Sequence, residues 1–143
     1  MIGFYLPFTE PFILLVRLIL INLLCRPRQS PFKPNDRVLL VTAHPDDECM
    51  FFGPTLCHLA DRAIPAKVVC LSRGDFYGQG ERRVGELAKA VALYEGVEHD
   101  CLDKLKDGPY VWPREKVADV VRAEMIKFKP TCIVTFDEKG VSG

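Results

Sequence analysis

The chain has 143 residues, 48% of them hydrophobic, and its nineteen basic and nineteen acidic side chains cancel to a formal charge of zero. That length suits one domain with an N-terminal appendage, and enough apolar residues remain for a core once about thirty N-terminal residues are set aside. The neutral balance excludes an overall field that would recruit nucleic acid or strongly acidic partners, so no nucleic-acid partner is expected.

From Ile2 to Leu24 the chain is mostly apolar, densest at FILLVRLILINLL, but Pro7, Glu10, Pro11 and Arg17 interrupt it. A spanning helix needs about 20 apolar residues, and a central charge costs roughly 2.5 to 3.5 kcal/mol. Residues 1–25 therefore read as a membrane-associated or transmembrane helix; the alternative is an amphipathic or buried helix with Arg17 snorkelling. A secretory signal peptide fits less well, because the start lacks a basic region and no small-residue cleavage site follows Leu24.

Arg26, Arg28, Lys33 and Arg37 come next, and the positive-inside rule places the downstream domain on the cytoplasmic side. Pro27, Pro31 and Pro34 make residues 26–36 a stiff linker. The six cysteines are scattered without a CxxC pair. They read as reduced and mostly buried, in keeping with a cytosolic environment.

Residues 37–143 form the folded domain. RVLLVTA (37–43) is a β-branched and leucine run expected of a parallel strand buried on both faces. Asp46 or Asp47 then caps a helix to about Ala60. AKVVCLS (66–72) is a second strand, the glycine-rich RGDFYGQG leads into a helix from about Glu81 to Tyr94, and VEHDCLD (97–103) is a short third strand. Pro113 opens a helix to about Lys129, and TCIVTFD (131–137) is the last strand.

The alternation predicts an α/β, Rossmann-like, open and mostly parallel sheet with helices on both faces, preceded by an N-terminal apolar helix. Sites in such folds lie outside the carboxyl ends of the strands. Three polar clusters fall there, 44–48, 73–79 and 137–139, placed to line one crevice.

In AHPDDE, a sharp turn after the first strand aims His44 and the carboxylate three residues later at one point. A divalent cation would offset the repulsion and desolvation of crowded carboxylates. Nitrogen and oxygen donors suit Zn²⁺, which in catalytic sites takes three protein ligands and a water, and a neighbouring carboxylate can take a proton from that water. The spacing alone leaves a plainer alternative open: an acid-rich helix N-terminus, favoured by the helix dipole, beside a loop histidine.

AHPDDE after a buried strand resembles the signature of the LmbE-like, or PIG-L, family of zinc-dependent de-N-acetylases. LSRGDFYGQGERRVGEL and IVTFDEKGVSG resemble further family segments, so the likeness covers roughly 36–143. The last two are worded most like the branch that acts on N-acetylglucosaminyl-phosphatidylinositol in GPI-anchor synthesis. The resemblance implies His44 and Asp47 as zinc ligands and Asp46 as the base that activates water. It implies Arg83 as a contact to substrate phosphate or sugar, Glu86 as support for its loop, and Asp137 at the edge of the site. An ordinary ion pair between Arg83 and Glu86 on one helix face is the alternative. Glu48 is expected to reinforce the helix N-terminus.

The same resemblance implies the glycolipid as substrate and the cytoplasmic face of the endoplasmic reticulum membrane as location. The family's third zinc ligand comes from a histidine motif just after GVSG, so the chain is expected to be a C-terminally truncated form lacking that ligand. A catalytically incomplete, membrane-bound family member is the alternative function.

Overall fold

The structure is a computed structural model and describes residues 9–24, 30–109, 111–138 and 140. Cys25, Arg26, Arg28, Lys139 and the segment after Gly140 lie outside the described residues. The chain divides into two compact units, Met1–Pro31 and Phe32–Gly143.

In the first unit, helix α1 runs Thr9–Leu24, sixteen residues. At 1.5 Å per residue that is about 24 Å, short of the roughly 30 Å hydrocarbon core of a bilayer. No helix among the described residues is long and apolar enough to cross a membrane.

The second unit runs β1 (Val38–Thr42), α2 (Asp47–Asp61), β2 (Ala66–Cys70), α3 (Gly80–Val91), β3 (Val97–Cys101), α4 (Arg114–Phe128) and β4 (Cys132–Val134). The sheet order is β3-β2-β1-β4 and every pairing is parallel. The chain steps outward from β1 to β3, then returns through α4 to the other side of β1. That reversal puts a topological switch between β1 and β4, where open parallel sheets form their crevices.

Strand alternation sorts the core onto two faces. Leu39, Val41, Val69 and Leu71 pack with Phe128 of α4 on one face, whereas Leu40, Val68 and Cys70 pack with Leu56 of α2 and Leu87 of α3 on the other. Every β1 and β2 residue is buried. Phe32 packs with a third cluster that includes Val38 and Leu59.

In the second unit the strands and helices expected from sequence are present, each strand ending sooner than expected; the helix expected over residues 1–25 lies partly outside the described residues. The largest difference is at β4, which pairs over three residues with β1 alone and leaves Ile133 41% exposed. The cysteines depart from expectation more. Five are free thiols among the described residues, but only Cys70 is buried, and Cys49 and Cys57 are exposed. Both lie on α2, a helix that covers the sheet on one side only, so its outer positions meet solvent.

One buried charge network lies on the α4 face. Lys67 of β2 reaches Asp100 of β3 at 2.5 Å and Glu124 of α4 at 3.1 Å, and Lys127 reaches Glu124 at 2.6 Å. Glu124 is 2% exposed. Burial pushes its carboxyl pKa up, yet the hydrogen bonds from Lys127 and Lys67 prevail and hold it below its ordinary value.

Candidate active site

The turn after β1 is fixed by its own acids. Asp47 Oδ2 accepts the backbone N–H groups of Ala43 (3.0 Å) and His44 (2.9 Å). Glu48, 1% exposed, accepts the N–H of Asp46 at 3.0 Å, the reinforcing role expected of it. These bonds satisfy donors that a buried strand end would otherwise leave unpaired.

Asp46 takes the N-cap position of α2, but its side chain makes no capping bond. Its backbone has φ 122°, in the left-handed half of conformational space that disfavours side chains. This turns the carboxylate away from the helix and toward α3, where Arg83 Nη2 meets Asp46 Oδ2 at 2.8 Å. The same Nη2 donates to Pro45 O at 2.8 Å, and Nη1 donates to Gly74 O at 3.0 Å.

Arg83 thus clamps the β1 turn to the loop after β2. Gly74, at φ 66°, permits this, since a Cβ there would collide with the guanidinium. Ser72 adds a second tie through its Oγ, which donates to Ala43 O at 2.8 Å.

His44 Nδ1 lies 4.0 Å from Asp47 Oδ2, and His44 Nε2 lies 3.0 Å from Asp107 Oδ1. Asp107 also accepts the N–H of Phe76 at 3.1 Å, and the Trp112 ring stands 5.9 Å from the imidazole. A cavity of about 560 Å³ opens here, lined by His44, Asp46, Asp47, Arg83 and Asp107, with Phe76, Tyr77 and Phe136 among its apolar walls. It has the size of a small-molecule site.

Two of the three expected polar clusters meet here. Glu86, expected to support the loop, does not line this cavity; it pairs with Arg82 at 2.8 Å on the helix surface, and the alternative, an Arg83–Glu86 ion pair, is not formed among the described residues. Asp137 lines a smaller neighbouring cavity with Phe51 and Phe136, and its Oδ1 accepts the N–H of Gly140 at 3.0 Å. Cys49 stands beside the site, and burial followed by the hydrogen bond with Glu48 raises its thiol pKa to about 11. At neutral pH it is a protonated thiol rather than a nucleophile.

Sequence reasoning missed Asp107 and Trp112. The only local signal was a turn-forming Asp-Gly pair beyond the third strand, and such pairs are usually no more than turns.

An open parallel sheet with a charged, clamped turn at its switch point defines a Rossmann-like α/β protein with a small-molecule site. The family model described as PIG-L, GlcNAc-PI de-N-acetylase, matches residues 39–143, and the chain belongs to that family. It is 38% identical over 125 residues to the N-acetylglucosaminyl-phosphatidylinositol de-N-acetylase of Bos taurus, covering 82% of this chain and 49% of that one. It is 36% identical over 114 residues to the probable enzyme of the same name from Schizosaccharomyces pombe, covering 76% and 46%.

The chain therefore spans about half the length of the curated relatives it matches. In fold it is similar to N,N′-diacetylchitobiose deacetylase from Pyrococcus horikoshii, with a TM-score of 0.62 at 23% identity, covering 92% of this chain and 51% of that one.

LmbE-like deacetylases are generally metal-dependent. Two donors about 2.0 to 2.2 Å from a tetrahedral zinc ion stand roughly 3.3 to 3.6 Å apart; His44 Nδ1 and Asp47 Oδ2 lie beyond that at 4.0 Å, and this oxygen already accepts two backbone N–H groups, so the pair has the right donor types but not the spacing of a formed site. A proton on His44 Nε2, facing Asp107, leaves the Nδ1 lone pair for a metal, the carboxylate–histidine arrangement common behind metal ligands. Among the described residues, however, no group of three His, Cys, Asp or Glu side chains is placed to hold a metal ion.

Proposed function

We propose that the protein is a de-N-acetylase that hydrolyses the acetamide of N-acetylglucosaminyl-phosphatidylinositol, giving glucosaminyl-phosphatidylinositol and acetate for GPI-anchor synthesis. The observation that carries this reading is the family match over 39–143 together with the convergence of His44, Asp46 and Asp47 on one cavity.

His44 and Asp47 would hold zinc, with a further donor supplied from outside the described residues. When bound, zinc supplies a Lewis acid that makes water more acidic and the amide carbonyl more electrophilic. Asp46 takes a proton from the attacking water and returns one to the leaving amine. Arg83 holds Asp46 in place, and Asp107 holds the His44 ring. Phe76, Tyr77 and Phe136 limit the water around the reacting amide.

Attachment to the endoplasmic reticulum membrane through residues 1–25, with the catalytic domain on the cytoplasmic side, belongs to the same reading. It is supported by the apolar run around α1 and the basic residues that follow it.

The test is acetate release from the glycolipid by the full-length protein, with and without a chelator. Metal-dependent release that disappears in Asp46→Ala is the expected result. Release that persists with the metal removed would refute the mechanism.

A second reading, a catalytically incomplete membrane-bound member of the family, is favoured by the two-donor set among the described residues. Equilibrium dialysis of the 143-residue chain with zinc separates the two readings. Tight one-to-one binding with turnover excludes the second; weak binding without turnover supports it.

A further inference from the structure

The cavity that holds His44 ends at Asp107, which is also a wall of a second concavity of about 270 Å³. Arg73, Lys104, Lys106 and Lys116 bring cationic side chains to this second concavity, and Asp75, Asp103 and Asp107 bring acidic ones. The acids are engaged: Asp75 accepts the N–H of Gly80 at 2.6 Å, Asp103 lies 3.8 Å from Arg73, and Asp107 faces His44 and Phe76. Arg73 is also paired, with Glu81. Lys106 and Lys116 have no acidic partner among the described residues.

A third concavity of about 280 Å³ shares Leu105, Lys106 and Lys116 with the second and adds Val111, Trp112 and Pro113. Val111 is 96% exposed. Trp112 is anchored by its Nε1, which donates to Lys106 O at 2.9 Å. Moving out from His44, the surface therefore presents a reacting site, then three lysines, Lys104, Lys106 and Lys116, that form no ion pair among the described residues, of which Lys106 and Lys116 also border an apolar shelf. A solvated shelf of this kind beside lysines suits an amphiphile whose anionic group is followed by hydrocarbon.

Arg83 is the residue from which a phosphate contact was expected, and its guanidinium is already spent on Asp46, Pro45 and Gly74. A phosphate needs a cation whose charge is not already offset, and lysine serves as a point-charge partner for it. Lys116 also stands in the first turn of α4, where the helix dipole adds positive potential.

We propose that Lys106 and Lys116 form the subsite for the phosphodiester of an inositol phospholipid, with Leu105, Val111, Trp112 and Pro113 receiving its glycerol side. The assignment rests on the glycolipid reading above, and adds to it the direction in which the lipid leaves the catalytic cavity.

Trp112 is the sole tryptophan of the chain, so its emission reports on the subsite directly. The full chain is titrated with dioctanoyl phosphatidylinositol below its aggregation threshold, and in parallel with inorganic phosphate. A saturable change is expected for the lipid, with half-saturation raised about tenfold or more in K106E/K116E and held within about twofold in K106R/K116R. Inorganic phosphate should need at least about tenfold higher concentration, because it gains nothing from the shelf.

No saturable response, an equal response in K106E/K116E with unchanged thermal melting, or equally tight binding of inorganic phosphate would overturn the proposal. The readout is binding rather than acetate release. Lipid binding without release overturns the deacetylase reading and leaves the subsite, whereas release with charge-independent binding does the reverse.

Discussion

The carboxyl ends of β1 and β4 stand side by side at the switch point, and they are built in opposite ways. β1 is paired on both sides and buried throughout, and its turn is tied down by Asp47, Glu48, Ser72 and Arg83. β4 is paired on one side over three residues, and beyond it the chain is held by Thr135 Oγ1 donating to Val41 O at 2.9 Å and by the Phe136 ring standing edge-on to Phe51 and Phe52 of α2. A group that must act on a substrate needs a fixed position. The central strand end offers that, and Asp137 at the edge holds a turn instead.

Four substitutions test this contrast, taken from the largest effect downward. Asp46→Ala should lower the acetate-release rate of the full-length protein about 10²- to 10⁴-fold, the usual contribution of a general base. Glu124→Gln, which removes one of two partners of Lys67 in the ion network on the central strand β2, should cost about 1 to 2 kcal/mol in denaturant unfolding, because Lys67 keeps Asp100.

Glu124 also sets a pH dependence. Its folded pKa lies below the ordinary 4.5, so the carboxylate contributes stability above the unfolded value that is lost as pH falls through the folded one. Acid melts should show that loss in the parent and not in Glu124→Gln.

Arg83→Ala should cost about 1 to 2 kcal/mol of stability by leaving Pro45 O and Gly74 O without their donor. It should also slow turnover about 10- to 100-fold through misplacement of Asp46. Asp137→Asn should move stability by no more than about 0.5 kcal/mol. A turnover loss in Asp137→Asn as large as that of Arg83→Ala would show that the β4 end belongs to the catalytic machinery, and the contrast would fail.

The fold was legible because runs such as VLLVT and AKVVC have no other way to bury every residue than as central parallel strands. That His44, Asp46 and Asp47 share one strand end was legible because their geometry is local, a turn of four residues; the roles expected of them came from the family resemblance. Asp107 and Trp112 were not, because they reach His44 only after the loop beyond β3 folds back across the strand ends. Arg83 was visible as a residue, but its partners include two backbone carbonyls, which any residue could have supplied. The exposed Cys49 and Cys57 escaped for a related reason: a thiol fits either side of a half-buried helix, so composition does not reveal which side it takes.

The backbone angle at Asp46 has an evolutionary reading. At φ 122°, glycine would be at ease and an aspartate is held at a cost of about 1 to 3 kcal/mol. Its ion pair with Arg83 is half-exposed and returns at most about 1 kcal/mol. Asp46→Gly should therefore melt at or above the temperature of the parent while losing acetate release. Selection for folding alone would favour glycine at this position, so on the proposed reading of Asp46 as base, robustness is given up there for reactivity.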